Sequence, residues 1–206
     1  LVGSEMCIRD RFTHIGITLT ETVISFFLVA LVSLSAATLL WYSRRLSEIL
    51  EPFLVVLNSL PKSALAPLLI VWLGTGMDTI IAAGISVAIF GAIINLYTGF
   101  LQADPEKLLL IRTLGGTRRD CFFKVGLPAS IPVILSNMKV NIGLSLVGVV
   151  IGEFLAARRG LGYLIIYGSQ VLQLDMLITS ILLLCIIAMG LYQLLQFAEH
   201  CYKKKV

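Results

Sequence analysis

The chain has 206 residues, of which 58% are hydrophobic and only 14% charged, with a formal net charge of +4. A soluble domain of this length needs far more polar surface than that, so the composition excludes an ordinary soluble protein and points to an integral membrane one. The basic residues gather at a few segment ends without interleaved aromatics, which argues for a charged membrane face and against nucleic-acid binding.

Taken in chain order, Leu1-Val2-Gly3-Ser4-Glu5-Met6-Cys7-Ile8-Arg9-Asp10-Arg11 fits neither a signal peptide nor a span. It is similar to translated sequencing-adapter sequence, so residues 1–11 are expected to be non-native or disordered, with native N-terminal sequence missing. Five stretches reach the roughly 20 apolar residues a span requires. They are Thr18–Tyr42 with Glu21 near its outer end, Phe53–Leu73 interrupted by Pro61 and Pro67, Thr79–Phe100, Ile131–Phe154 and Met176–Phe197. Residues 12–200 thus read as one transmembrane domain, and residues 201–206 as a basic tail.

Lysine and arginine in the short loops set the orientation. One side holds Arg44, Arg45, Lys107, Arg112, Arg118, Arg119, Lys124 and Lys203-Lys204-Lys205, while the other holds Arg158 and Arg159. The loop around Lys107 and the C-terminus are therefore expected in the cytoplasm. Five spans then place the first visible residues outside, so a chain that starts in the cytoplasm needs a sixth span upstream. Small residues recur at fourth positions (Gly84, Ala88, Ala92, then Gly148 and Gly152), a spacing that lets helix backbones approach closely. The two prolines of the second span are expected to bend it.

Between the third and fourth spans lies a polar island, 104–128. Asp104 suits a helix N-cap, Pro105 the first helical position and Glu106 the first turn. A short helix over 105–114 should end at Gly115-Gly116 in a left-handed cap. Thr117 restarts a helix with Asp120 in a capping-box role, and Leu127-Pro128 is expected to end that helix. Two short helices with exposed apolar residues read as a docking element, or as an amphipathic pair lying on the membrane surface.

These residues carry a resemblance. The island is similar to the EAA loop of ABC importer permeases: Gly115 takes the glycine place, nine residues run from Gly116 to Lys124, Val125 takes the isoleucine place, and Leu127-Pro128 follow. Arg112-Thr113-Leu114-Gly115 looks like the version in permeases for nitrate, sulfonates and taurine. The Glu-Ala-Ala places hold Leu109-Leu110-Ile111, which departs from the pattern and implies a more apolar dock. Pro61 to Pro67 with Trp72-Leu73-Gly74, and Gly152-Glu153-Phe154 with Gly160-Leu161-Gly162-Tyr163, resemble further family segments.

The resemblance implies the all-helical type I ABC importer transmembrane fold, with five visible spans of six. It further implies a pair of permease copies, a homodimer by expectation, two cytoplasmic ATP-binding subunits beneath them, and an extracytoplasmic solute-binding protein. Carried over, Leu109, Leu110, Ile111, Arg112, Thr113, Gly115, Leu127 and Pro128 form the surface that couples to the ATPase. No cofactor is expected on this chain, which lacks a G-x-x-x-x-G-K-[ST] loop; ATP and Mg belong to the partner. A lining role along the solute path falls to the polar groups in the spans, Asn95, Asn137, Lys139, Ser145 and Glu153. Lys139 can also snorkel, and Glu153 can equally tie to Arg158 or Arg159.

Metal chemistry finds no support. Cys7, Cys121, Cys185 and Cys201 are scattered, and His14 and His200 stand near opposite ends without ligand-spaced neighbours. Three other readings stand beside the main one. A secondary transporter or channel would leave the island without a job, and shows no clear inverted repeat. A membrane-embedded enzyme would need a nucleophile–base set, which is absent. A permease for amino acids or thiamine precursors would share every feature above.

Overall fold

The apolar stretches fold as helices because a bilayer offers no partner for an unpaired backbone group. The computed structural model describes residues 8–203, with side chains from 11 to 201, and contains no strand among them. Residues 1–7 and 204–206, and with them most of the doubtful leading stretch and half of the basic tail, lie outside the described residues. In chain order the helices are α1 (Ile8–Tyr42), α2 (Arg44–Ser59), α3 (Lys62–Leu73), α4 (Met77–Leu101), α5 (Pro105–Thr113), α6 (Arg118–Cys121), α7 (Leu127–Ala156), α8 (Leu161–Gln170) and α9 (Leu174–Lys203). Four helical stretches are long and apolar enough to cross a membrane, and the pair α2–α3 makes a fifth if taken together.

That pair bends by 95° at Leu60-Pro61. Proline cannot donate to the turn before it and pushes its predecessor into extended backbone, and Leu60 has ψ 142° accordingly. Pro67, the other expected breaker, sits inside α3, and Pro52 inside α2. So one of the two span prolines makes the break. Gly74 then ends α3 with φ 80° and its N–H donating to the Ile70 carbonyl at 2.9 Å.

The helices belong to two units. The first contains the chain up to Leu28, Pro61–Ala88 and everything from Ile142 onward. Its close packing is built on glycine. A Cβ on Gly148 would lie 2.7 Å from the Gly84 Cα and 2.8 Å from the Ala83 carbonyl oxygen, and one on Gly84 would lie 2.7 Å from Ser25 Oγ. Ile80, Val149 and Ala156 fill the adjacent core, with Ile70 and Ala157 against them. Gly148→Val should therefore be overpacked by roughly 1–3 kcal/mol and melt earlier in detergent, whereas the same change at Gly143, where nothing lies within 4 Å, should not.

The second unit contains Val29–Leu60 and Ile89–Asn141. Its core is aromatic: Ala37, Leu96, Phe100 and Phe122, with Trp41, Tyr97, Leu127 and Ile134 packed around them. Phe122 is the hub, its ring 5.0 Å from that of Trp41 and 5.4 Å edge-on from that of Phe100. Gly99 lets α7 approach α4, because a side chain there would collide with Val133.

The expectation that Leu127-Pro128 ends the island's second helix is overturned. The helix begun at Arg118 runs through one π-helical turn, Phe122–Gly126, directly into α7. In that turn the Leu127 N–H reaches back five residues to the Phe122 carbonyl. The wider winding shifts the carbonyls at the position where Pro128 has no N–H to offer and where its ring would otherwise clash. Proline here is absorbed by a local change of pitch and does not stop the helix.

Candidate functional site

The polar island takes its shape from local chemistry. Asp104 caps α5 by accepting from the Glu106 N–H at 3.0 Å, and Pro105 follows it. At the other end the Gly116 N–H donates to the Ile111 carbonyl at 2.9 Å and the Gly115 N–H to the Arg112 carbonyl at 3.0 Å. This crossed pair is a Schellman stop, and Gly115 has the positive φ, 82°, that it requires. Thr117 and Asp120 form a complete capping box: the Thr117 hydroxyl donates to Asp120 Oδ2 at 2.6 Å and the Thr117 N–H does so at 2.9 Å. Arg118 donates to the Tyr42 carbonyl at 2.8 Å, which fixes the start of this helix against the end of α1.

The face so presented is apolar. Leu109, Leu110 and Leu114 are exposed, with Leu114 at 79%, and Ile111 is half-buried under Gly116. Arg112, Thr113, Gly115 and Pro128 are exposed as well, and Leu127 is half-buried. Leu109 and Leu110 on α5 and Leu114 at its C-cap are left uncovered by the chain, and burying each would return roughly 1.5–3 kcal/mol. Cys121, buried behind the helix with its thiol 3.9 Å from the Leu108 carbonyl, holds α5 from the inside.

The Asp120 carboxyl is held below the usual carboxylate range by the hydrogen bonds from the Thr117 side chain and backbone, with the Lys124 ammonium adding to them. A lowered value means the cap is in place at neutral pH and fails only as the pH drops through that lowered pKa; raising the pH leaves it unchanged. Thr117→Ala should weaken this helix start by about 1 kcal/mol, read as faster amide exchange over 118–121.

The polar groups of the spans divide. Asn95 is exposed, whereas Asn137, Ser145 and Glu153 are buried and Lys139 is half-buried. Asn137 donates through its side-chain nitrogen to the Ala92 carbonyl at 3.4 Å, and its Oδ1 has no partner among the described residues. The Ser145 hydroxyl is likewise buried without a partner.

Glu153 has the richest surroundings. Its Oε1 accepts from the Thr18 hydroxyl at 2.6 Å, and its Oε2 accepts from the Gly162 N–H. Thr18 Oγ1 in turn accepts from the Leu161 N–H at 2.9 Å, and His14 Nδ1 accepts from the Gly160 N–H at 2.8 Å. The first amides of α8, which no intrahelical carbonyl can satisfy, are thus capped by side chains of α1 and α7. Glu21 is buried as well, and its Oε2 has no hydrogen-bond partner among the described residues. Arg158 and Arg159 are exposed; the carboxylate ties to the start of α8.

Residues 22–198 match the family described as binding-protein-dependent transport system inner membrane component. The chain belongs to this family of ABC importer permeases. It is 32% identical over 187 residues to the "Probable ABC transporter permease protein" of Haemophilus influenzae, covering 91% of this chain and 76% of that one. It is 28% identical over 152 residues to the formylaminopyrimidine transport permease protein ThiX of Halalkalibacterium halodurans, covering 74% of this chain and 61% of that protein. Taurine and aliphatic-sulfonate permeases match at 26% and 28% identity. A solved structure of the MetNI methionine ABC transporter in an inward-facing conformation superposes with a TM-score of 0.80, at 20% identity and 98% coverage of both chains. The type I importer permease fold and a multi-pass inner-membrane location follow.

The sequence reading placed Leu114 on the first island helix without counting it in the coupling surface, and it missed Phe123, which is 64% exposed. Leu114 is the C-cap residue of α5 and Phe123 lies in the π turn beside the buried Phe122, so their exposure depends on where the helices end. The reading also passed over Thr18, His14 and Glu21, whose partners lie more than a hundred residues away.

Proposed function

We propose that the chain is the membrane-spanning subunit of an ATP-driven importer for a small polar solute, and that it receives mechanical input through 104–128. One observation carries this reading: a short, rigidly capped helix presents Leu109, Leu110 and Leu114 to solvent beside Arg112. A surface of this kind is stable when a partner covers it, and the family implies which partner. An ATP-binding subunit docks there, and ATP with its Mg ion is bound and hydrolysed on that subunit. Leu109, Leu110, Ile111, Arg112 and Thr113 make the contact, Gly115 supplies the turn, and Leu127-Pro128 lead the displacement into α7. Two copies of the permease form the path, and a binding protein delivers the solute from outside. The solutes named for its relatives include aliphatic sulfonates, taurine, formylaminopyrimidine and riboflavin, so family membership alone does not choose among them.

The test is co-purification. Co-expressed with the ATP-binding subunit and binding protein encoded beside it, the tagged chain should elute as two permease and two ATPase copies with binding-protein-stimulated ATP hydrolysis. A folded permease that elutes without any ATPase would overturn the reading and favour an ATPase-independent transporter.

A further inference from the structure

Helix α8 stands in the connection between the fourth and fifth spans, on the side that the lysine and arginine bias marks as outside. Three side chains hold its start. The Leu161 N–H goes to the Thr18 hydroxyl, the Gly162 N–H to the Glu153 carboxylate, and the Gly160 N–H to His14 Nδ1 at 2.8 Å. Gly160 is itself buried, so no solvent stands ready to replace the ring nitrogen as acceptor. The His14 ring also lies parallel to that of Tyr163, within 10° and with centroids 6.5 Å apart. It is set against α8 by its face as well as by its edge.

Of the three acceptors, His14 is the one whose residue type ordinarily changes charge between about pH 5 and 8. An imidazole accepts at Nδ1 only when neutral, with its hydrogen on Nε2; the imidazolium donates from both nitrogens. One added proton therefore turns the contact with Gly160 from donor–acceptor into donor–donor. We propose that His14 is a proton-sensitive positioning residue: neutral, it pins the start of α8 to α1, and protonated, it lets that start go. Because α8 joins α7 to α9, the contact ties the outer end of the permease to the acidity of the medium outside. The inference does not depend on how the island meets the ATPase.

Other ionisable groups face the same region. Glu21 follows His14 on the same face of α1, Arg11 is exposed one turn before it, and Glu153 comes from α7. Tyr163 and Tyr167 stack along α8. Arg158 and Arg159 are exposed in the connection, and Asp78 and Asp175 are exposed at the starts of α4 and α9. All of them persist when His14 is replaced, so a substitution at this position separates the effect of the histidine from theirs.

The test is hydrogen–deuterium exchange of the full chain in nanodiscs from about pH 8 to about pH 5.5, a range that brackets ordinary histidine titration. Protection is corrected for the intrinsic pH dependence of exchange. Over residues 160–164 it should fall roughly fivefold or more in the wild type as the pH drops. In His14→Asn, whose side-chain oxygen takes the place of Nδ1 and accepts without titrating, it should stay level. In His14→Phe, which offers no acceptor, it should be low throughout. A wild-type segment equally protected at both ends of the range would overturn the proposal. So would an acid-induced fall of the same size in His14→Asn, which would assign it to the carboxylates, or a His14→Phe chain protected like the wild type at the upper pH. Residues 89–100 of α4 are read on the same samples, and a fall shared equally there would mark general acid unfolding and count against the proposal as well.

Discussion

Glu153→Ala should lower the melting temperature of the detergent-solubilised permease more than any other single change in its spans. The substitution strips the acceptor from the buried Gly162 N–H and leaves the buried Thr18 hydroxyl only the more distant His14 carbonyl, at 3.2 Å. One orphaned buried donor costs roughly 1–3 kcal/mol, which corresponds to a fall on the order of 2–12 °C for a chain of this size. Gly160→Ala should do comparable damage by the opposite route. Its φ of 118° is foreign to side-chain-bearing residues, and its Cβ would fall onto the Glu153 carboxylate. A double-mutant cycle of Glu153→Ala with Thr18→Val should be strongly non-additive. If the two changes simply sum, Glu153 is not capping α8 through Thr18. Glu153→Gln separates this role from a place on the solute path: the isosteric amide retains an acceptor for one donor, so stability should largely return. Transport that stays low while stability returns would assign the carboxylate to the solute.

Gly115→Val is the second large effect, and it should spare the fold while severing the permease from its ATPase. No atom lies within 4 Å of a Cβ at this position, so the cost comes entirely from a φ of 82°. Left-handed backbone costs a β-branched residue about 1–2 kcal/mol, enough to open the Schellman stop at the end of α5. Freed of that stop, α5 runs on or frays, and Leu109, Leu110 and Leu114 leave their common face. The expected result is a chain that inserts and melts within a few degrees of the wild type but loses the ATPase on co-purification. Gly116→Val supplies a contrast, because its Cβ would meet the Ile111 carbonyl oxygen at 2.8 Å and damage the same turn sterically. Coupled transport by Gly115→Val at the normal rate would remove the island from the mechanism.

The division between what the sequence disclosed and what it withheld follows interaction range. Asp104-Pro105, Gly115-Gly116 and the Thr117–Asp120 box act over two to five residues, and each stands in the structure where the residue pattern put it. The five apolar stretches are likewise properties of composition. Leu127-Pro128 misled because a proline inside a helix can be accommodated by a π turn, and nothing local distinguishes that outcome from a helix end. Glu153 was legible as a costly group in a span, but its partner Thr18 lies 135 residues away, so the nearby arginines looked equally eligible.

The π turn has a mechanical side. No loop separates Arg118 from the fourth span: the helix that starts in the island continues for 39 residues, to Ala156, as the span itself. On the coupling proposed above, a push on the island passes into this helix with no linker between them. The five residues Phe122–Gly126 are its one joint of altered pitch, and Phe122 within them is wedged between Trp41 and Phe100. On that coupling, the push works against the aromatic wedge, which then acts as a fulcrum for the helix.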